Sequence, residues 1–111
     1  MEKENNGTVF DGGVDDLQVK KWKALHRKVY RIEIDDDGER HVGYFKRPDF
    51  ATMKAVMKVS KTDEVEAGKV LFENCFLGGS GELRSDAVLF MGVQSQLGKL
   101  LTGCTGSLKN L

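Results

Sequence analysis

Leu71-Phe72-Glu73-Asn74-Cys75-Phe76-Leu77-Gly78-Gly79 is the stretch on which the reading of the fold turns. Counting back from Gly78, the residues Val65, Gly68, Leu71, Phe72, Cys75 and Phe76 recur at helical spacing, so they share one face of a helix over residues 63–77. Gly78 is the expected stop, because glycine takes the left-handed conformation past a helix end without steric penalty. The segments before this joint supply partners for its apolar face, and those after it form a loop and one more helix. Composition and spacing therefore predict a fold and, by themselves, no function.

Working outward toward the N-terminus, residues 50–59 read as a helix capped by Asp49, with Phe50, Met53, Val56 and Met57 facing inward. Thr62 is the expected cap of the 63–77 helix, and Asp63, Glu64 and Glu66 suit the positive end of its dipole. Pro48 ends the preceding strand, since it cannot donate to a ladder. That strand, over residues 39–46, follows another over 28–35, where Tyr30, Ile32 and Ile34 alternate with charged residues.

The turn between the two strands decides their register. A two-residue loop, Asp37-Gly38, sets Ile34 opposite His41 and Ile32 opposite Gly43. A three-residue loop, Asp36-Asp37-Gly38, sets Ile32 opposite Val42 and Tyr30 opposite Tyr44. The second keeps the apolar residues together and is the expected register, with Gly38 left-handed. An isolated hairpin is marginal in water, so a face made of Tyr30, Ile32 and Tyr44 calls for helices to cover it.

Before the hairpin, Asp15 can cap a helix over residues 15–25, with Gln18 in the capping-box position. Val19, Trp22, Leu25 and His26 line one side, and Lys20, Lys21, Lys23, Arg27 and Lys28 the other. Residues 1–13 are polar and read as a mobile arm. On the far side of the double glycine, a loop leads to Ser85 as cap of a last helix over 86–102. Leu89, Phe90, Val93, Leu97, Leu100 and Leu101 are its apolar face, and Gln94, Ser95, Gln96 and Lys99 its wet side. Residues 103–111 form a short tail. The sum is one α+β domain over residues 14–102, a single antiparallel hairpin packed on three to four helices.

Charge and composition exclude several functions. Seventeen Lys plus Arg balance 17 Asp plus Glu, which removes the basic excess that nucleic acid or an anionic membrane would call for. No apolar run approaches the roughly 20 residues of a membrane span, and the polar start lacks a secretion signal, so a cytoplasmic protein is expected. Cys75 and Cys104 then read as free thiols, the first buried and the second exposed. His26, His41, Cys75 and Cys104 are scattered without paired metal-ligand spacing, so no metal is expected. Asp35, Asp36 and Asp37 are turn chemistry. The glycine clusters at residues 78–81 and 103–106 lack the context of a phosphate loop, and no cofactor is expected. No serine or cysteine has the neighbourhood of an activated nucleophile, which points away from an enzyme.

From Lys28 to about Leu101 the order of features carries a resemblance. A strand, an Asp/Gly turn and a strand ending Phe45-Lys46-Arg47-Pro48 come first. A helix, a Thr-Asp-Glu break, the helix ending in Leu71 to Gly79, and a closing helix after Arg84-Ser85-Asp86 complete it. In that order the chain resembles the tail assembly chaperones of long-tailed bacteriophages, small proteins of phage and prophage tail modules. The resemblance implies a non-enzymatic protein of the bacterial host cytoplasm that binds the tape measure protein, shields its apolar helices and contacts the tail tube subunit. Such a role requires a displayed apolar surface, for which Met53, Met57 and Met91 are suited by their adaptable thioethers. Displayed apolar surface also favours self-association. The alternative is a small structural or regulatory module of a mobile element, binding nucleic acid through the basic Lys20–Lys28 face, with Lys20, Lys21 and Lys23 at its centre.

Overall fold

Nine elements follow one another in a computed structural model that describes residues 8–111. They are β1 (Thr8–Phe10), α1 (Asp16–Leu25), β2 (Val29–Asp36), β3 (Glu39–Lys46), α2 (Phe50–Ser60), α3 (Glu64–Cys75), β4 (Phe76–Gly79), α4 (Glu82–Ser85) and α5 (Ala87–Leu101). Among the described residues the fold is α+β, with five helices and a mixed four-stranded sheet. No helix among the described residues is long and apolar enough to cross a membrane.

β3 is the hub of the sheet. β2 pairs antiparallel along one edge, while the other edge is shared end to end. β1 pairs parallel with Glu39, Arg40 and His41, and β4 pairs antiparallel with Gly43, Tyr44 and Phe45. The expected hairpin is therefore present but is only half of the sheet. Thr8–Phe10 belong to the sheet rather than to an N-terminal arm; residues 1–7 of that expected arm lie outside the described residues.

The register is the one the one-sided apolar argument rejects. Ile32 lies opposite Gly43, Ile34 opposite His41 and Asp36 opposite Glu39, so the loop is the two residues Asp37 and Gly38. Both have positive φ, 49° and 87°, as a type I′ turn demands. The reason is burial on both sides: His41, Val42, Gly43, Tyr44 and Phe45 are all buried, so β3 has no wet face whose polarity could set the pairing. Alternation then places Tyr30, Ile32, Gly43 and Phe45 on one face, and Tyr44 on the other.

The core lies on the first face. Ile32, Phe45, Leu71, Phe72, Cys75, Leu83, Leu89, Phe90, Val93 and Leu97 form one buried cluster, with Met53 and Val56 packed against it. Phe72 is its centre. Its ring meets Phe45 edge-on at 5.3 Å and lies 5.1 Å from Phe76 and 5.5 Å from Phe90. On the second face Trp22 of α1 packs on Tyr44 at 5.6 Å, and the Arg31 guanidinium donates to the Tyr44 hydroxyl at 3.0 Å.

α3 is shorter than its apolar stripe. It starts after Asp63, whose carboxylate accepts the Glu66 N–H at 3.0 Å, rather than after Thr62. It ends at Cys75, and Phe76-Leu77-Gly78-Gly79 run on as β4. Gly78 is not a left-handed stop. A Cβ on it would lie 2.8 Å from the Trp22 ring, and one on Gly79 would lie 2.3 Å from the Val42 carbonyl oxygen. The double glycine lets β4 press against β3 and α1, which is a packing demand rather than a helix ending.

The last helix is capped by Asp86, not Ser85; its carboxylate accepts the Val88 and Leu89 N–H groups at 2.9 and 3.0 Å. Leu89, Phe90, Val93 and Leu97 are buried as expected, whereas Leu101 is exposed. Gln94 leaves the expected wet side: its amide donates to the Gly68 carbonyl at 3.1 Å, tying α5 to α3. Cys75 is buried and Cys104 exposed, both as free thiols. Burial pushes the Cys75 thiol up from 9.0 to about 11.

Candidate functional site

The helical layer, made by α2, α3 and α5, carries large apolar side chains on its outside. Phe50, expected to face inward, is 95% exposed, and Met57, seven residues on and so on the same side of α2, is 62% exposed. Both point away because α2 buries only the strip containing Thr52, Met53 and Val56. Val65, expected on the buried stripe of α3, is exposed as well, and so are Val88 and Met91 on α5.

Part of this surface is concave. Glu64, Val65, Gly68, Phe90, Met91 and Gln94 line a groove of about 160 Å³ between α3 and α5. Gly68 forms its floor because Gln94 lies against it; a Cβ there would sit 3.1 Å from the Gln94 amide oxygen. Val65 and Met91 are its apolar walls. The arrangement holds no reactive group. It offers a dry slot for an apolar side chain, with one carboxylate, Glu64, at the rim.

The three methionines named from the sequence are thus separated. Met53 is half-buried against the core, Met57 stands on the outer side of α2, and only Met91 lines the groove. Lys20, Lys21 and Lys23 are exposed on α1. A second concavity, of about 420 Å³, gathers different cations: Lys28, Arg31, Arg47 and Lys99 lie around Tyr30 and Leu97. The Arg47 guanidinium donates to the Tyr30 hydroxyl at 3.2 Å there.

One constellation escaped sequence reasoning altogether. His41 on β3 is fully buried, and its Nδ1 lies 2.8 Å from the Ser80 hydroxyl. Its Nε2 lies 3.2 Å from a Glu39 carboxylate oxygen and 3.7 Å from one of Glu82. The Phe10 ring stacks on the imidazole at 4.7 Å and an interplanar angle of 12°. Glu39 and His41 are two apart on one strand and so share a face, but Glu82 arrives from a helix about forty positions on. Only the anchoring of the Ser80 turn to β3, through its N–H to the Val42 carbonyl at 2.9 Å, brings it there. The single available signal was the strand spacing Glu39-x-His41.

No family model matches the chain, and no curated protein does. Among solved structures it is similar to that of an uncharacterised protein from Bacillus stearothermophilus. The two share 19% sequence identity, with 83% of this chain and 99% of that chain covered and a TM-score of 0.59. At that identity the likeness concerns the fold alone.

Proposed function

We propose that this chain is a non-enzymatic protein-binding module of the tail assembly chaperone kind, which holds an amphipathic helix of a tape measure protein against its α3/α5 groove. The observation that carries the reading is the set of large apolar side chains in solvent on the helical layer, with Val65 and Met91 flanking a concave, uncharged floor. Surface of this kind is what a helix-in-groove partner buries, and flexible methionine suits a surface that must accept varied apolar side chains. The naming of the client rests on the resemblance of the strand–turn–strand–helix order, and the tail tube subunit is the second partner it implies.

The test is co-expression with the tape measure reading frame expected next to this gene, followed by affinity measurement on a purified helical segment. Met91→Glu and Val65→Glu, both at exposed positions, should leave the circular dichroism unchanged and weaken binding by roughly tenfold or more. Equal affinity of the variants would remove the groove from the interface. Salt-sensitive retention of DNA or RNA, lost when Lys20, Lys21 and Lys23 become glutamate, would instead favour the nucleic-acid reading.

A further inference from the structure

The geometry points to a divalent transition-metal site at Glu39, His41 and Glu82. These three residues offer one ligand atom each, and the atoms all lie within 4.8 Å of one another. A tetrahedral zinc ion with bonds of about 2.0–2.2 Å holds its ligands about 3.3–3.6 Å apart. The His41 Nε2 distances to the two carboxylates, 3.2 and 3.7 Å, bracket that spacing.

The buried imidazole is the observation that separates this cluster from an ordinary acidic patch. In the tautomer that binds a metal through Nε2, Nδ1 donates to the Ser80 hydroxyl 2.8 Å away, an outer-shell partner of the kind that orients metal-binding histidines. The other tautomer donates from Nε2 to Glu39, whereas this one turns the buried Nε2 lone pair toward the carboxylates of Glu39 and Glu82. A cation between them satisfies all three groups at once. Stacking by Phe10 holds the ring plane. Glu39 and Glu82 are each about half exposed, which leaves the site open to solvent for ion entry and for a water as fourth ligand. One imidazole with two carboxylates selects zinc and its first-row neighbours over calcium or magnesium, which take oxygen ligands. The ion clamps α4 and the Ser80 turn onto β3, beside the end of β1.

The experiment follows thermal unfolding of the full chain, stripped by a chelator, as Zn²⁺ is added, in a Cys104→Ser background that removes the exposed thiol. Saturating Zn²⁺ should raise Tm by roughly 5–10 °C, and Glu39→Gln or Glu82→Gln should weaken the effect by roughly tenfold or more. Both substitutions are at partly exposed carboxylates, so they test the site without emptying the core, as His41→Gln would. Nitrogen NMR of the imidazole should show the Nε2 resonance moving on Zn²⁺ addition. An unmoved Tm, an equal rise in the Glu39→Gln/Glu82→Gln double variant, or an Nε2 that keeps a proton with Zn²⁺ present would overturn the proposal. The last outcome would make the cluster a hydrogen bond from the Nε2–H to the Glu39 carboxylate.

Discussion

Glycine has two opposite meanings in this chain, and single substitutions separate them. Gly79 has φ 138°, and a Cβ on it would meet the Val42 carbonyl oxygen at 2.3 Å; Gly12 on the other side of β4 is equally confined, 2.2 Å from the Gly79 carbonyl oxygen. Gly79→Ala should therefore cost on the order of 3 kcal/mol or more, read from chemical denaturation. Gly98 sits in α5 with open space around it. There Gly98→Ala should stabilise by about 0.5–1 kcal/mol, because alanine loses less backbone entropy in a helix. Cys75 provides a pH-dependent counterpart. Its folded value is raised above its unfolded one, so the neutral thiol stabilises the fold fully below pH 9, and that contribution falls as pH rises toward about 11. Thiol reagents at pH 8 should label Cys104 and spare Cys75; equal labelling would show that the core around Phe72 opens readily.

At the scale of the element, the helices are delimited by aspartates. Asp15, Asp49, Asp63 and Asp86 each accept backbone N–H groups of the first turn. At Asp49 the Thr52 N–H stabilises the carboxylate and holds its pKa below the ordinary value, so the cap on α2 is lost only as pH falls into the acid range. Asp86→Ala should cost about 1–2 kcal/mol, whereas Ser85→Ala should be nearly neutral, since Ser85 only reaches the Gly81 carbonyl at 3.5 Å. The reverse ranking in urea denaturation would restore Ser85 as the cap. Helix starts were legible because an aspartate before a helix acts locally. Ser85 and Asp86, or Thr62 and Asp63, differ by one position, and only the backbone geometry chooses between them.

At the scale of the whole molecule, the described residues spread further than a compact chain of this length. Their radius of gyration is 16.0 Å, against about 13 Å expected for 111 residues. Residues 103–111 are exposed and belong to no helix or strand, and α1 contains no buried residue and leaves Leu17 and Leu25 in solvent. Trp22 is its anchor, resting on Gly78 and Tyr44. Trp22→Ala should lower stability by about 1–3 kcal/mol and abolish amide protection in α1 first, while α5 keeps its protection in hydrogen exchange. Simultaneous loss in both helices would mean that α1 belongs to the cooperative core.

Local information in the chain was enough for the α+β class, the two long strands, four helices within a residue or two of their limits, and the buried and exposed cysteines. Each of these depends on periodicity, a cap or a turn within about ten residues. Tertiary structure alone decided that β3 is covered on both faces, and with that the hairpin register, the strand identity of Phe76–Gly79 and the addition of Thr8–Phe10 to the sheet. It also decided which apolar residues stay wet, since α2 touches the rest along one narrow strip and leaves Phe50 and Met57 outside. The meeting of Glu39, His41 and Glu82 has the same origin. Strand pairing and the Ser80 turn carry a carboxylate across about forty positions, and no periodicity along a chain encodes a contact of that length.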